Sequence, residues 1–154
     1  MAHVRKQIRD AVKTLLDVSM SEYRHVFNSR LPRARDVLPY VLVYTPSETS
    51  TQITIHPPAI IQRDINLVTQ LFVRLTNDTE THEETMDAAA AEVETKLTGA
   101  IVSTALSEKV KLFTLQSTDS EIITEDENSR TYATITLQWL VQVNTVEGSP
   151  ETLI

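Results

Sequence analysis

A chain of 154 residues that is 41% hydrophobic, with a net charge of −7 and a pI near 5.0, has enough apolar mass for one packed core. The same charge argues against a nucleic-acid grip built on neutralising phosphates. Without cysteine there can be no disulfide, thiolate metal site or cysteine nucleophile, and with only Gly99 and Gly148 there can be no glycine-rich phosphate loop or G-x-S-x-G elbow.

In chain order, residues 3–17 carry Val4, Ile8, Ala11, Val12, Leu15 and Leu16 between Arg5, Lys6, Arg9, Asp10 and Lys13, which predicts an amphipathic helix. Residues 23–31 read as a short strand ended by Pro32, and a basic turn at 33–36 leads to the apolar run LPYVLVY at 38–44. That run suits a central strand with Pro39 at its first position, where a missing N–H does little harm. Residues 45–58 are rich in Ser, Thr and Pro and have no strong periodicity, so a long loop is expected there, of the kind that is functional or mobile. Alternation resumes over 60–76, with Ile65, Leu67, Leu71, Val73 and Leu75 on one side and Asn66, Gln70, Arg74 and Thr76 on the other, a second long strand.

At Thr81 the signal turns helical. Thr81 and Glu84 make a capping box, Met86, Ala90, Val93 and Leu97 follow at helical spacing, and Gly99 is placed to end the helix. A short apolar connection at 100–106 precedes a strand at 110–118, which an acidic loop containing Asp119, Glu121, Glu125, Asp126 and Glu127 joins to the last strand. This last strand, residues 130–144, holds Ala133, Ile135, Leu137, Trp139, Val141 and Val143 in phase against Thr134, Thr136, Gln138 and Gln142. A period of two over that length marks a strand buried on one side, the spine of the sheet, with Trp139 in the core.

The predicted fold is α+β: a mostly antiparallel sheet with two helices packed on one face, one domain over residues 1–145 and a flexible tail over 146–154. The charged N-terminus is unlike a signal peptide and no apolar run is long enough for a membrane span, so a soluble protein made in a cytoplasm is expected. Charge is unevenly spread. Through Arg35 there are eight Lys or Arg against three acidic residues, a net of +5, which leaves −12 for the rest of a chain totalling −7. This reads either as a solvated helix face plus a basic loop or as complementary surfaces for head-to-tail association.

No enzyme, metal or cofactor site emerges. His82-Glu83-Glu84-Thr85-Met86 begins like a zincin helix but has Met86 where the second His is required, and a surface histidine at a helix start is the plainer reading. The acidic stretch lacks the D-x-[DN]-x-[DN]-G pattern of a calcium loop, and Tyr40, Tyr44 and Trp139 lack the basic surroundings of a base-stacking platform.

The opening AHVRKQIRDAVKTLL, the strands LPYVLVYT and RDINLVTQLFV, the helix DAAAAEVETKL and the closing YATITLQWLVQV together resemble the tail terminator proteins of long-tailed bacteriophages, the minor tail proteins of the U type. The likeness is one of element order and texture, runs from Ala2 to Asn144, and departs in the stretch before Pro57 and in the acidic hairpin. It implies a structural virion protein in the tail: a ring, typically hexameric, at the head-proximal end of the tail tube, which stops tube polymerisation and offers a joining surface to the neck. The partners it implies are further copies of the chain, the tail tube protein and a neck or head-completion protein, with DNA passing through the ring without specific binding and no membrane. On that reading Ser47, Glu48, Thr49, Ile53 and Ile55, with Arg30, Arg33 and Arg35, are the candidate partner interface, and Glu125, Asp126 and Glu127 the candidate channel-facing acids. A neck or head-completion connector is the alternative within the same class. A small ligand-binding or enzymatic α+β domain is the alternative outside it, and would need a polar pocket.

Overall fold

The computed structural model describes residues 2–19, 25–32, 39–75, 79–125 and 130–154. Its elements run α1 (Val4–Ser19), β1 (His25–Phe27), β2 (Tyr40–Gln52), β3 (Ile60–Arg74), a 3-10 turn (Thr79–Thr81), α2 (His82–Lys96), α3 (Gly99–Ala105), β4 (Val110–Glu125), β5 (Arg130–Val146) and β6 (Ser149–Leu153). The strands form one sheet in the order β1-β2-β3-β5-β4, with β6 pairing β5 beyond the end of β4. The sheet expected to be mostly antiparallel is a mixed one: β1 pairs β2 in parallel while the other pairings are antiparallel. The expected two helices are three.

The spine is where the alternation places it. β5 pairs β3 from Val146 to Tyr132 on one side and β4 from Val143 to Arg130 on the other. Ala133, Ile135, Leu137, Trp139, Val141 and Val143 are all buried against Val41, Val43, Ile65, Leu67, Leu71 and Val73 of the neighbouring strands. Trp139 stacks on Phe113 at 5.0 Å and its Nε1 donates to Thr69 Oγ1 at 3.1 Å, so the one polar atom of the indole is satisfied inside the core.

Helix α1 lies on this face through Val4, Ile8, Val12 and Leu16, each with no exposed surface. Fully burying side chains of this size stabilises by roughly 1.5–3 kcal/mol each before ordering entropy is subtracted. α2 adds Met86, Ala89 and Val93, with Leu97 after it, and α3 adds Val102. The buried small residue of α2 is Ala89 and not Ala90, since the stripe runs i, i+3, i+7 from Met86. A second, smaller core of Tyr40, Leu42 and Phe72 occupies the opposite face, where Tyr40 stacks on Phe72 at 4.5 Å and meets Phe27 edge-on at 6.2 Å. Thus β2 is buried on both faces at its start, as a near-continuous apolar run should be.

Five local expectations differ from the structure. The capping box does not form: Thr81 closes the 3-10 turn with helical backbone angles, and its hydroxyl makes no cap hydrogen bond. Gly99 does not stop α2. It opens α3 behind the cap Thr98, whose hydroxyl accepts from Ile101 N, and it brings α3 so near β4 that a Cβ there would sit 3.4 Å from the Phe113 carbonyl. The apolar connection at 100–106 is mostly this helix. The acidic loop is largely strand, since β4 continues through Glu125.

The fifth concerns the tail at 146–154, most of which is strand. It reverses at Gly148, whose φ of 81° suits a residue without Cβ, and returns as β6, which places Leu153 in the core. Gln7 Nε2 donates to Glu151 O at 2.6 Å and to Ala2 O at 2.7 Å, tying β6 to the first turn of α1.

Candidate assembly interface

The stretch expected as a long loop, residues 45–58, is an arm. β2 runs on to Gln52 and pairs β3 in continuous register from Ser47↔Asn66 to Gln52↔Ile61, so only residues 53–59 turn. Thr, being β-branched, holds an extended chain as readily as it decorates a loop. Pro46 falls where the register shifts between Tyr44 and Ser47, a bulge at which a missing N–H breaks no ladder bond. The tip is closed by its own bonds: Ile53 N to Ile60 O at 2.9 Å, Gln52 Nε2 to Thr54 O at 2.8 Å, and Ile60 N to Thr54 Oγ1 at 2.7 Å.

Along the arm the apolar alternation gives way to polar pairs. Arg63 Nη1 meets Glu48 Oε1 at 2.6 Å and Arg63 Nε donates to Thr145 Oγ1 at 2.9 Å, so one guanidinium joins β2, β3 and β5. Gln142 Nε2 donates to Asp64 Oδ1 and Asn66 Nδ2 to Ser47 Oγ. The second oxygen of Glu48 is buried without a hydrogen bond and lies 3.8 Å from Arg5 Nε, close enough for charge attraction only. α1 begins beside this pair. His3 O accepts from Lys6 N, and His3 Nδ1 accepts from Arg5 N at 3.2 Å, which requires a neutral imidazole. Burial first, and then the positive charges of Arg5, Arg63 and Arg9 against the opposing Glu48, hold the His3 pKa below its ordinary value, in keeping with that acceptor role.

The structure separates the residues singled out in the sequence. Ile53 and Ile55 stand at the tip, 47% and 89% exposed. Thr49 is exposed on the arm, Ser47 is exposed and bonded to Asn66, and Glu48 faces inward to Arg63 and Arg5. Arg30 lies beyond β1 with its guanidinium 5.7 Å from the Tyr44 ring centre, near the root of the arm and away from its tip. Glu125 ends β4 opposite Arg130 in the register. Arg33, Arg35, Asp126 and Glu127, together with the basic turn at 33–36, lie outside the described residues.

Sequence reading passed over Arg9, filed with the solvated face of α1. Its Nη1 donates to Thr45 Oγ1 at 2.7 Å, across the gap between α1 and β2. No spacing within α1 could have shown that partner. Among the described residues no group of three or more His, Asp or Glu is placed to hold a metal ion, and no helix is long and apolar enough to cross a membrane.

No protein-family model and no curated protein matches the chain. Among solved structures, the chain is similar to one described as belonging to the virion of a native gene transfer agent particle, at 15% identity and a TM-score of 0.41, over 91% of this chain and 92% of that one.

Proposed function

We propose that this chain is a structural protein of a phage-like virion, a tail terminator that caps the head-proximal end of the tail tube as a homomeric ring, hexameric by the resemblance, without catalytic activity of its own. The observation that carries the reading is the arm: an extension of β2, β3 and β5 joined by side-chain polar bonds, ending in a turn that presents Ile53 and Ile55 to solvent. Apolar side chains at a projecting tip have no core to enter, and the occupant they suit is another protein surface. In this reading the tip engages the tube or the adjacent copy, the opposite side of the ring receives the neck protein, and DNA passes through without specific binding. The end of β4 at Glu125 then borders the channel, where negative charge repels phosphates at short range.

The test is electron microscopy of tails assembled with no copy of this chain, with the wild type, and with Ile53→Asp/Ile55→Asp. Tubes of uncontrolled length in the first and third cases, and of uniform length in the second, are expected. Uniform tails in the absence of the protein overturn the reading.

A further inference from the structure

β1 covers the edge of β2 only from Tyr40 to Leu42, so among the described strands β2 has no neighbour on that side from Val43 onward. Where the cover ends, Arg9, Asn28, Ser29, Arg30, Val43, Tyr44 and Thr45 line a polar cleft of about 250 Å³. Among the described residues neither guanidinium of the cleft is paired with a carboxylate. Arg9 is spent on the Thr45 hydroxyl, Arg30 lies over the Tyr44 ring, and the nearby Asp10 is held by Lys6 at 2.6 Å and by Asn28 Nδ2 at 2.6 Å. Glu48, the other acid of this corner, is engaged by Arg63 and Arg5. Burial, followed by the positive charge of Arg5 and then Arg30, with Asp10 opposing, lowers the Arg9 pKa.

The far edge of the sheet has the complementary want. β4 has no strand on its outer side among the described residues, and its exposed Asp119 and Glu121 make no ion pair there. β4 runs antiparallel to β5, β5 to β3, and β3 to β2, so β4 is antiparallel to β2. A rotation axis along the strands preserves that direction, and the β4 edge of one copy can therefore meet the β2 edge of the next as an antiparallel neighbour.

We propose that the Arg9–Arg30 cleft is a carboxylate-binding site whose occupant is the β4 edge of a second copy, presenting Asp119 and Glu121. Paired guanidinium and carboxylate groups fix direction and exclude the two-fold alternative, in which cleft would face cleft or acid face acid. This deepens the ring reading and rests on it.

The absence of cysteine makes the contact readable even when association is weak. Leu31→Cys, 71% exposed beside the cleft, is mixed with Ser120→Cys, between the two acids, and a short bis-maleimide records the proximity. A mixed cross-linked dimer is expected. Its yield should fall about tenfold or more when Arg9→Glu/Arg30→Glu is added to the first partner, the equivalent of about 1.4 kcal/mol, and recover when Asp119→Arg/Glu121→Arg is added to the second. Arg9→Gln/Arg30→Gln gives a milder loss and serves if the reversed variant does not fold.

A yield indifferent to the cleft, a loss without recovery, or Leu31→Cys joining mainly to itself overturns the proposal. So does a wild-type affinity for short duplex DNA that the Gln variant abolishes while cross-linking is unchanged, since the cleft would then take phosphate. Rings seen at tail ends together with any of these results leave the terminator reading standing and remove only the cleft. A cleft-dependent cross-link with no protein at the tail end does the reverse.

Discussion

The same three strands do two different jobs along their length. Near the helices, β2, β3 and β5 carry apolar side chains in phase and the sheet is one wall of a core. Past Tyr44, Leu67 and Val141 the core continues only through Ile65 and Val143, and the other side chains that join the strands out along the arm are Arg63, Glu48, Thr145, Asp64, Gln142, Asn66 and Ser47. Burial of apolar area is large and non-directional, so it supplies the stability of the body. Hydrogen bonds and ion pairs add about 1 kcal/mol net or less apiece but fix geometry, so they suit a projection whose direction matters more than its stability.

Breaking the body should have the largest effect. Trp139→Ala removes the Phe113 stack and the bond to Thr69, and is expected to cost about 3–5 kcal/mol, read as a global fall in melting temperature. An unchanged melting temperature would place Trp139 outside the core. Breaking the arm should cost less in total and more in one place. Glu48→Ala leaves Arg63, 13% exposed at its side chain, without its counter-charge, at about 3 kcal/mol. Hydrogen exchange should then rise in β2 from Ser47 to Gln52 and remain slow in β5 near Leu137. Uniform acceleration would mean that arm and body open as one unit. At the tip, Ile55→Asp is expected to change stability by no more than about 0.5 kcal/mol while tail-length control is lost.

The smallest effect sharpens the root of the arm. His3 has a folded-state pKa below its unfolded value, so its contribution is fully present above the ordinary pKa of 6.5 and is lost as pH falls from there through the folded value. Replacing His3 with Asn retains a cap acceptor that does not titrate, and the variant should lose less stability than the wild type between neutral and mildly acidic pH in parallel denaturant titrations. Identical pH profiles would remove the imidazole from the cap.

How legible each part was in the sequence follows the same division. α1, β3 and β5 are read from their periodicity because a buried face leaves an uninterrupted pattern. The arm is invisible to that method: residues 45–52 have the composition of a loop, and the partners that make them strand lie across the sheet, Glu48 with Arg63 and Arg63 with Thr145. β6 is lost for a similar reason, since a glycine and a proline near a chain end suggest disorder until Gln7 is seen to hold Glu151. The candidate site divides likewise. The tip isoleucines stand out as apolar residues in a polar stretch, whereas Arg9 acquires meaning only when the fold sets α1 beside Thr45.

An edge strand that can receive a neighbour is a hazard whenever no neighbour is present. β4 spans Val110–Glu125 without a proline, and it exposes Leu112 and Ile122 beside backbone groups that, among the described residues, have no strand opposite them. Such a strand is a template for unregulated pairing and, at high concentration, for fibre growth. Two devices blunt it: the register shifts at Val110/Leu112 and Leu115/Ser117, which bend the edge, and the like charges of Asp119 and Glu121, which would face each other in a β4–β4 pair. The same two acids would then set the colloidal lifetime of the unassembled chain, and Asp119→Asn/Glu121→Gln should shorten it, seen as earlier turbidity and a rise in thioflavin fluorescence during concentrated storage.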